Sequence, residues 1–344
     1  AAGVGLHSGQ RVEMTIRPAS EDKGICFRRL DINPIQEIQA SAHNVSETTM
    51  GTTITQNNAS IMTVEHLLAA FSGLGIDNAY VDIHGPEVPI MDGSSASFIL
   101  LVELAGIKEQ QAPKKFLRIK KNIRVEQDGK FAEFKPYNGY RLSFQIEFEH
   151  PMIQNKLTEF TFDFSTMNFL NQISRARTFG FLKEIETLRA NNLALGGSLD
   201  NALVFVDKKM KEKEIKIMKE LFNLKKDLSI GENGILKGTE LRFHNEPVRH
   251  KVVDLIGDFV CRLLNHMDQS GVASVMPELR RQDRNMPISC WIDPDNFNPN
   301  YLKRSMHKLP RRGDKPEWQH TQDYWAEKTD FPLIDLEDPV FKYR

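Results

Sequence analysis

The chain has 344 residues, of which 40% are hydrophobic, and its 45 Lys+Arg nearly balance 46 Asp+Glu for a formal net charge of −1. That balance leaves no global field to recruit nucleic acid or an acidic membrane surface, and the length suits about two domains at roughly 100–200 residues each. Three cysteines (Cys26, Cys261, Cys290) without Cys-x-x-Cys spacing exclude a disulfide framework and read as the reduced thiols of a cytoplasmic protein.

In chain order, the start Ala-Ala-Gly-Val-Gly carries no Met and reads as a fragment. Val12, Met14 and Ile16 alternate with polar residues up to Pro18, a half-buried strand. Val64 to Phe71 reads as a helix with Thr63 as its N-cap. Ala79 to Ile83 is a strand stopped by His84-Gly85-Pro86, and Asp92-Gly93-Ser94-Ser95 is a turn into an apolar helix, Phe98 to Ala105. No run approaches the roughly 20 apolar residues of a membrane span; the stretch Ile99 to Ile107 is broken by Glu103.

A polar segment with Pro113 marks a domain boundary between Gln110 and Lys115. The pattern then restarts: Leu117, Ile119, Ile123 and Val125 share one strand face, and Leu142, Phe144, Ile146, Phe148 and Phe160, Phe162, Phe164 alternate. Strands followed by helices in both halves point to α+β layers of similar plan. Lys208 to Lys226 is a charged amphipathic helix, its charges a solvated face, and Gly231 to Gly234 is a turn. From Met276 onward the chain holds eight of its 16 prolines and all three tryptophans (Trp291, Trp318, Trp325), which reads as an irregular tail.

His250 and Asp254 are i and i+4, so on a helix both project from one face and suit one metal ion. Asp258 lies another turn along, placed to orient a neighbour. Such a pair by itself is more often a surface or capping pair. Glu65-His66 sits inside an otherwise apolar helix, where a charge is costly unless paired or metal-bound. His66 would then ligate, and Glu65 would take a proton from water at the metal; a partly exposed helix with a polar edge fits the same residues. His7, His43, His84, His150, His244, His307 and His320 read as ordinary polar residues. Gly3-x-Gly5-x-x-x-Gly9 is off the dinucleotide spacing, and the pair Gly196-Gly197 reads as a turn.

Five longer motifs occur in order: Gly3-Val4-Gly5-Leu6-His7-Ser8-Gly9, Thr63-Val64-Glu65-His66, Pro89-Ile90-Met91-Asp92-Gly93-Ser94, Ser174-Arg175-Ala176-Arg177-Thr178-Phe179-Gly180-Phe181 and Asn245-Glu246-Pro247-Val248-Arg249-His250-Lys251. Over residues 1 to 259 the chain resembles the UDP-3-O-acyl-N-acetylglucosamine deacetylases. The resemblance implies two similar β-α-α-β two-layer sandwiches (1–112 and 113–259) with the active site between them. It implies zinc on His66, His250 and Asp254, and Glu65 as general base. Thr178 and Lys251 would steady the oxyanion, with Asp258 also catalytic. Phe179 would face the sugar, Leu195 and Gly197 would border the acyl passage, and Met62 would touch substrate. The implied protein is a cytoplasmic monomer that releases acetate from a UDP-acyl-glucosamine in lipid A synthesis.

Two departures are visible. The family has a further strand before Gly3, and after Asp258 it continues into a Ser-Gly-His-Ala-type segment whose His partners that aspartate. Instead, Val260 to Asp268 and Met306 to Asp314 resemble the C-terminal end of Baeyer–Villiger-type flavin monooxygenases, which points to a fusion or chimera joined near Phe259. Beside the zinc amidase stand two alternatives: a remnant that binds zinc and nucleotide-sugar without turnover, and a flavin monooxygenase fragment, for which no dinucleotide glycine motif is present.

Overall fold

The computed structural model describes residues 1–263 apart from 115–118, 128–129, 149, 151–152, 154–157, 207–229, 231–233 and 237–239. Its first half holds β1 (Ala2–Val4), β2 (Arg11–Pro18), β3 (Ile25–Arg29), β4 (Gln36–Gln39), β5 (Val45–Glu47), β6 (Thr53–Gln56) and β7 (Ala59–Ile61), then α1 (Glu65–Leu74), β8 (Ala79–His84) and α2 (Ala96–Ala105). A five-stranded sheet runs β1-β2-β8-β3-β4, parallel only between β3 and β8. The period-two alternation read in β2 sets this sheet: Val12 and Met14 are buried while Arg11, Glu13 and Thr15 face solvent. A smaller antiparallel sheet, β5-β6-β7, lies beside it.

Helix α1 is buried from Glu65 to Phe71, which is why it reads as apolar on every side. It stops at Gly75, whose left-handed φ of 73° a side chain would resist. Thr63 does not cap it. Its φ is 57°, the N-cap is Val64 without a side-chain bond, and the Thr63 hydroxyl instead donates to Glu87 Oε1 at 2.8 Å. The buried Glu87 carboxylate is the stronger acceptor available to it.

The second half holds hairpins β9 (Ile123–Gln127) with β10 (Lys130–Phe134) and β11 (Arg141–Gln145) with β12 (Glu159–Asp163), then α3 (Thr166–Gln172), β13 (Phe179–Phe181), α4 (Leu182–Ala190), β14 (Leu203–Phe205) and α5 (Glu246–Leu263). β13 and β14 pair in parallel. The strand expected over Leu117 to Val125 begins only at Ile123; Ile119 is buried outside it, and Leu117 lies outside the described residues. The alternation through Phe148 outruns β11, which ends at Gln145. Beyond it, Ile146 still donates its N–H to the Thr158 carbonyl at 2.9 Å, while its side chain enters a second core with Phe181, Leu203, Phe205 and Val248. The expected helix at 208–226, the turn from Gly231 and all but the first four residues of the tail lie outside the described residues. Those four, Val260 to Leu263, continue α5 across the expected junction at Phe259.

This is an α+β fold. Its largest apolar core runs unbroken from Val12, Phe27 and Leu68 in the first half to Phe134, Phe162, Phe169 and Ile256 in the second. α1 packs along α5, and Gly257 allows the approach: a Cβ there would sit 2.0 Å from the Glu65 carbonyl oxygen. That close crossing brings the two candidate ligand helices together.

Candidate metal centre

His66 stands one residue into α1, and His250 and Asp254 face it from successive turns of α5. His66 Nε2 lies 3.4 Å and His250 Nε2 3.3 Å from the same oxygen, Asp254 Oδ1, which is buried without a hydrogen-bond partner among the described residues. The imidazole rings meet edge to face at 4.8 Å, and one ligand atom from each of the three residues falls within 4.8 Å of the others. Both histidines are buried. His250 Nδ1 lies 2.9 Å from the Ala176 carbonyl oxygen. A carbonyl only accepts, so Nδ1 carries the proton and Nε2 turns its lone pair toward the centre. Two imidazoles and a carboxylate around a buried, unsatisfied oxygen are the donor set a divalent metal fits, with room for one more ligand in a tetrahedral site.

The acid next to this cluster has its own support. Glu65 is buried, and its Oε2 accepts the Thr52 N–H at 3.0 Å. Burial, reinforced by the charges of Asp254 and Asp258, pushes its carboxyl up to about 7, against the pull of His66. Thr52 also donates its hydroxyl to Asp258 Oδ1 at 2.6 Å, so one residue ties both carboxylates together. Lys251 donates to Asp254 Oδ2 at 3.0 Å, and the Asp254 charge raises the ammonium above its usual value despite burial. Burial acts upward on Asp254, but the imidazoles and Lys251 more than offset it and hold the carboxyl below its usual range. Burial pushes the His250 imidazole down to about 3, which keeps it neutral and fit to ligate.

The remaining expected residues fall around this centre at different distances. The Phe179 ring stands edge-on 6.4 Å from His250, with Lys251 Nζ 5.6 Å over its face. Thr178 is pinned through its backbone: its N–H donates to Gly93 at 2.8 Å, and its carbonyl accepts from Leu203 at 2.9 Å. Gly93 has φ 80°, and a Cβ there would sit 1.9 Å from the Asn201 carbonyl oxygen, so only glycine fits that contact. Leu195 is 41% exposed. It is tied to the first loop by its N–H to the His7 carbonyl at 3.2 Å, and Gly196 donates to Leu6 at 3.0 Å. Gly197 faces Leu6 there, the side-chain carbon lying 3.8 Å from where a Cβ would be. Met62 belongs to a bridge beside Glu87, its backbone bonded to Pro86 and Val88.

His7 was not singled out by its sequence context, yet it is buried at this site. Its Nδ1 accepts from Ala194 at 3.4 Å, and its Nε2 has no hydrogen-bond partner. A Cβ on Gly51 would lie 3.5 Å from that Nε2 and 3.2 Å from Glu65 Oε1, so the two groups flank one small space. Lying within the first glycine-rich motif was the only signal, and neither periodicity nor spacing assigned it a role. The structure also shows His150 buried against Phe181 and Phe205.

Comparison with known proteins gives the family of the chain as a whole. The profile of the UDP-3-O-acyl N-acetylglycosamine deacetylase family matches residues 1–226 and 221–272. The chain is 42% identical over 313 residues to the UDP-3-O-acyl-N-acetylglucosamine deacetylase of Alcanivorax borkumensis, covering 88% of this chain and 94% of that protein. The enzymes of the same name from Pseudomonas entomophila and Hahella chejuensis are 47% and 48% identical over 258 residues, each covering 75% of this chain and 77% of the relative. The likeness therefore runs past Phe259, where the sequence motifs alone had ended it. With matches over most of its length, the chain belongs to the UDP-3-O-acyl N-acetylglycosamine deacetylase family.

Proposed function

We propose that this chain hydrolyses the N-acetyl group of a UDP-3-O-acyl-N-acetylglucosamine and releases acetate, the deacetylation its relatives are named for, as a step of lipid A synthesis, using zinc held by His66, His250 and Asp254. The observation that carries this reading is the convergence of both Nε2 atoms on the unsatisfied Asp254 Oδ1 beside the buried Glu65. A zinc ion there supplies Lewis-acid polarisation and makes water acidic near neutral pH.

The protein's own groups do the rest. Glu65, with its carboxyl raised to about 7, takes the proton of the attacking water. The Thr52 N–H holds that carboxylate in place, and burial with the charges of Asp254 and Asp258 keeps it in its raised range. Lys251 and Thr178 stand as donors for the charge that develops on the acetyl oxygen, fixed in advance by Asp254 and by the Gly93 and Leu203 backbone. Phe179 offers a flat face to the sugar, and Leu195 and Gly197 border the acyl chain where their loop meets Leu6, with Met62 nearby in sequence to the ligand helix. No helix among the described residues is long and apolar enough to cross a membrane; we place the chain in the cytoplasm, as a monomer, and give the start of the 260–344 tail to the deacetylase likeness, which runs past Phe259.

The test is a paired measurement on the purified full chain: zinc content, and acetate release from the UDP-sugar. One zinc per chain with turnover is expected, and His250→Ala should lose both. Full zinc retained in His250→Ala would sink the ligand assignment. Zinc without turnover would favour a binding-only protein.

A further inference from the structure

Glu246 is fully buried at the start of α5, and Arg177 is 4% exposed beside it. Neither has a role in the chemistry above. Arg177 Nε donates to Glu246 Oε1 at 2.8 Å and its terminal nitrogen to Oε2 at 3.2 Å; the Arg242 N–H adds a bond to Oε2 at 2.7 Å. A bland reading makes this a staple for the helix start. One further bond argues for more. The backbone N–H of Arg177 donates to Glu246 Oε1 at 3.0 Å, and the carbonyl of the same peptide unit, Ala176 C=O, accepts from His250 Nδ1 at 2.9 Å.

That peptide is trans, so its N–H and C=O point opposite ways along a rigid plane. Glu246 and His250 are i and i+4 on α5, and the ligand Asp254 is the next step along the same face. The Ala176–Arg177 peptide thus lies along one helix face, gripped at one end by Glu246 and pressed at the other against His250. A carboxylate accepting from the N–H polarises the amide and strengthens its carbonyl as an acceptor. Metal-ligating histidines commonly donate their second N–H to a carboxylate or carbonyl, which fixes tautomer and raises ligand basicity. Here the carboxylate works through an intervening peptide.

We propose that Glu246, held by Arg177, is a positioning residue for the metal centre: through the Ala176–Arg177 peptide it locks His250 in the Nδ1–H tautomer with Nε2 facing the metal. The inference rests on the reading of His250 as a ligand.

Glu246→Gln keeps the shape and removes the charge. Three quantities are read on the full chain at a temperature where the variant is folded: zinc affinity by competition with a chromogenic chelator, the ¹⁵N spectrum of His250 in the metal-free protein, and the melting temperature. The expected result is zinc affinity weakened by about 10–100-fold and a His250 spectrum that changes from one tautomer to a mixture. A lower melting temperature with unchanged zinc affinity and an unchanged His250 tautomer would overturn the proposal and leave a staple. Should Glu246→Gln fail to fold, Glu246→Asp keeps the partner for Arg177 but withdraws the carboxylate from the peptide N–H; it should move zinc affinity and tautomer in the same direction by less, and no movement would overturn the proposal. Wild-type zinc content separates the two ideas. If the wild type took up no zinc, the ligand reading would fall, while the metal-free spectra of wild type and variant would still decide whether Glu246 governs His250.

Discussion

At the scale of single residues, burial does most of the chemistry. Burial of Glu65, with the charges of Asp254 and Asp258 beside it, outweighs the pull of His66, so its carboxyl sits in the range where a base works at neutral pH. Glu65→Gln is expected to keep full zinc content and to lose about 10²–10⁴-fold in turnover, the usual worth of a general base; zinc analysis beside acetate release checks both halves of that statement. Asp82 shows the opposite balance far from the site. Burial acts upward on its carboxyl, but bonds from Arg28 and Arg17 more than offset it and lower it. A carboxyl lowered in the folded state stabilises fully above its unfolded value of about 3.9, and that contribution is lost as pH falls through the lower folded value. The melting-temperature deficit of Asp82→Asn should therefore be largest near neutral pH and should close below about pH 4; a deficit that stayed constant down to pH 2 would show that the ion pairs contribute nothing. Among the site residues, spacing showed that His250 and Asp254 share a helix face, because a helix repeats locally. It could not show that His66 meets them, since that meeting depends on the crossing of two helices far apart in sequence. His7 was hidden for the same reason: its partners, Ala194 and the space beside Gly51, come from other segments.

At the scale of elements, the crossing of α1 and α5 decides whether a site exists. Gly257 faces the Glu65 backbone, and a methyl there would sit 2.0 Å from a carbonyl oxygen that cannot rotate away. Gly257→Ala should cost about 1–3 kcal/mol as overpacking. It should also weaken zinc binding, because the helices that separate carry His66 on one side and His250 with Asp254 on the other. Urea unfolding and a chelator titration on the same variant test this, and a destabilised protein with undiminished zinc affinity would show that the site tolerates the shift. The long periodic elements, β2 and α1, were legible from their residues alone. The short ones were not. α3 and β13 span too few residues to display a period.

At the scale of the whole molecule, the continuous core joins what the sequence divides near Pro113. Phe169 of α3 reaches the position where Gly73 of α1 has no side chain, and Val12, Phe27 and Leu68 share one core with Phe162 and Ile256. Residues 1–263 should accordingly unfold in one cooperative transition; calorimetry that resolved two separate transitions within them would show that the halves are independent. The bond from Thr52 to Asp258 joins residues 206 apart in sequence, and the candidate ligands likewise come from both halves. The site has, in genetic terms, no inheritable half. A break in the gene anywhere between the codons for His66 and His250 leaves one product with one of the three candidate ligands and the other with two. Activity could return only by complementation, when both products are made in one cell and dock through the α1–α5 surface they once shared.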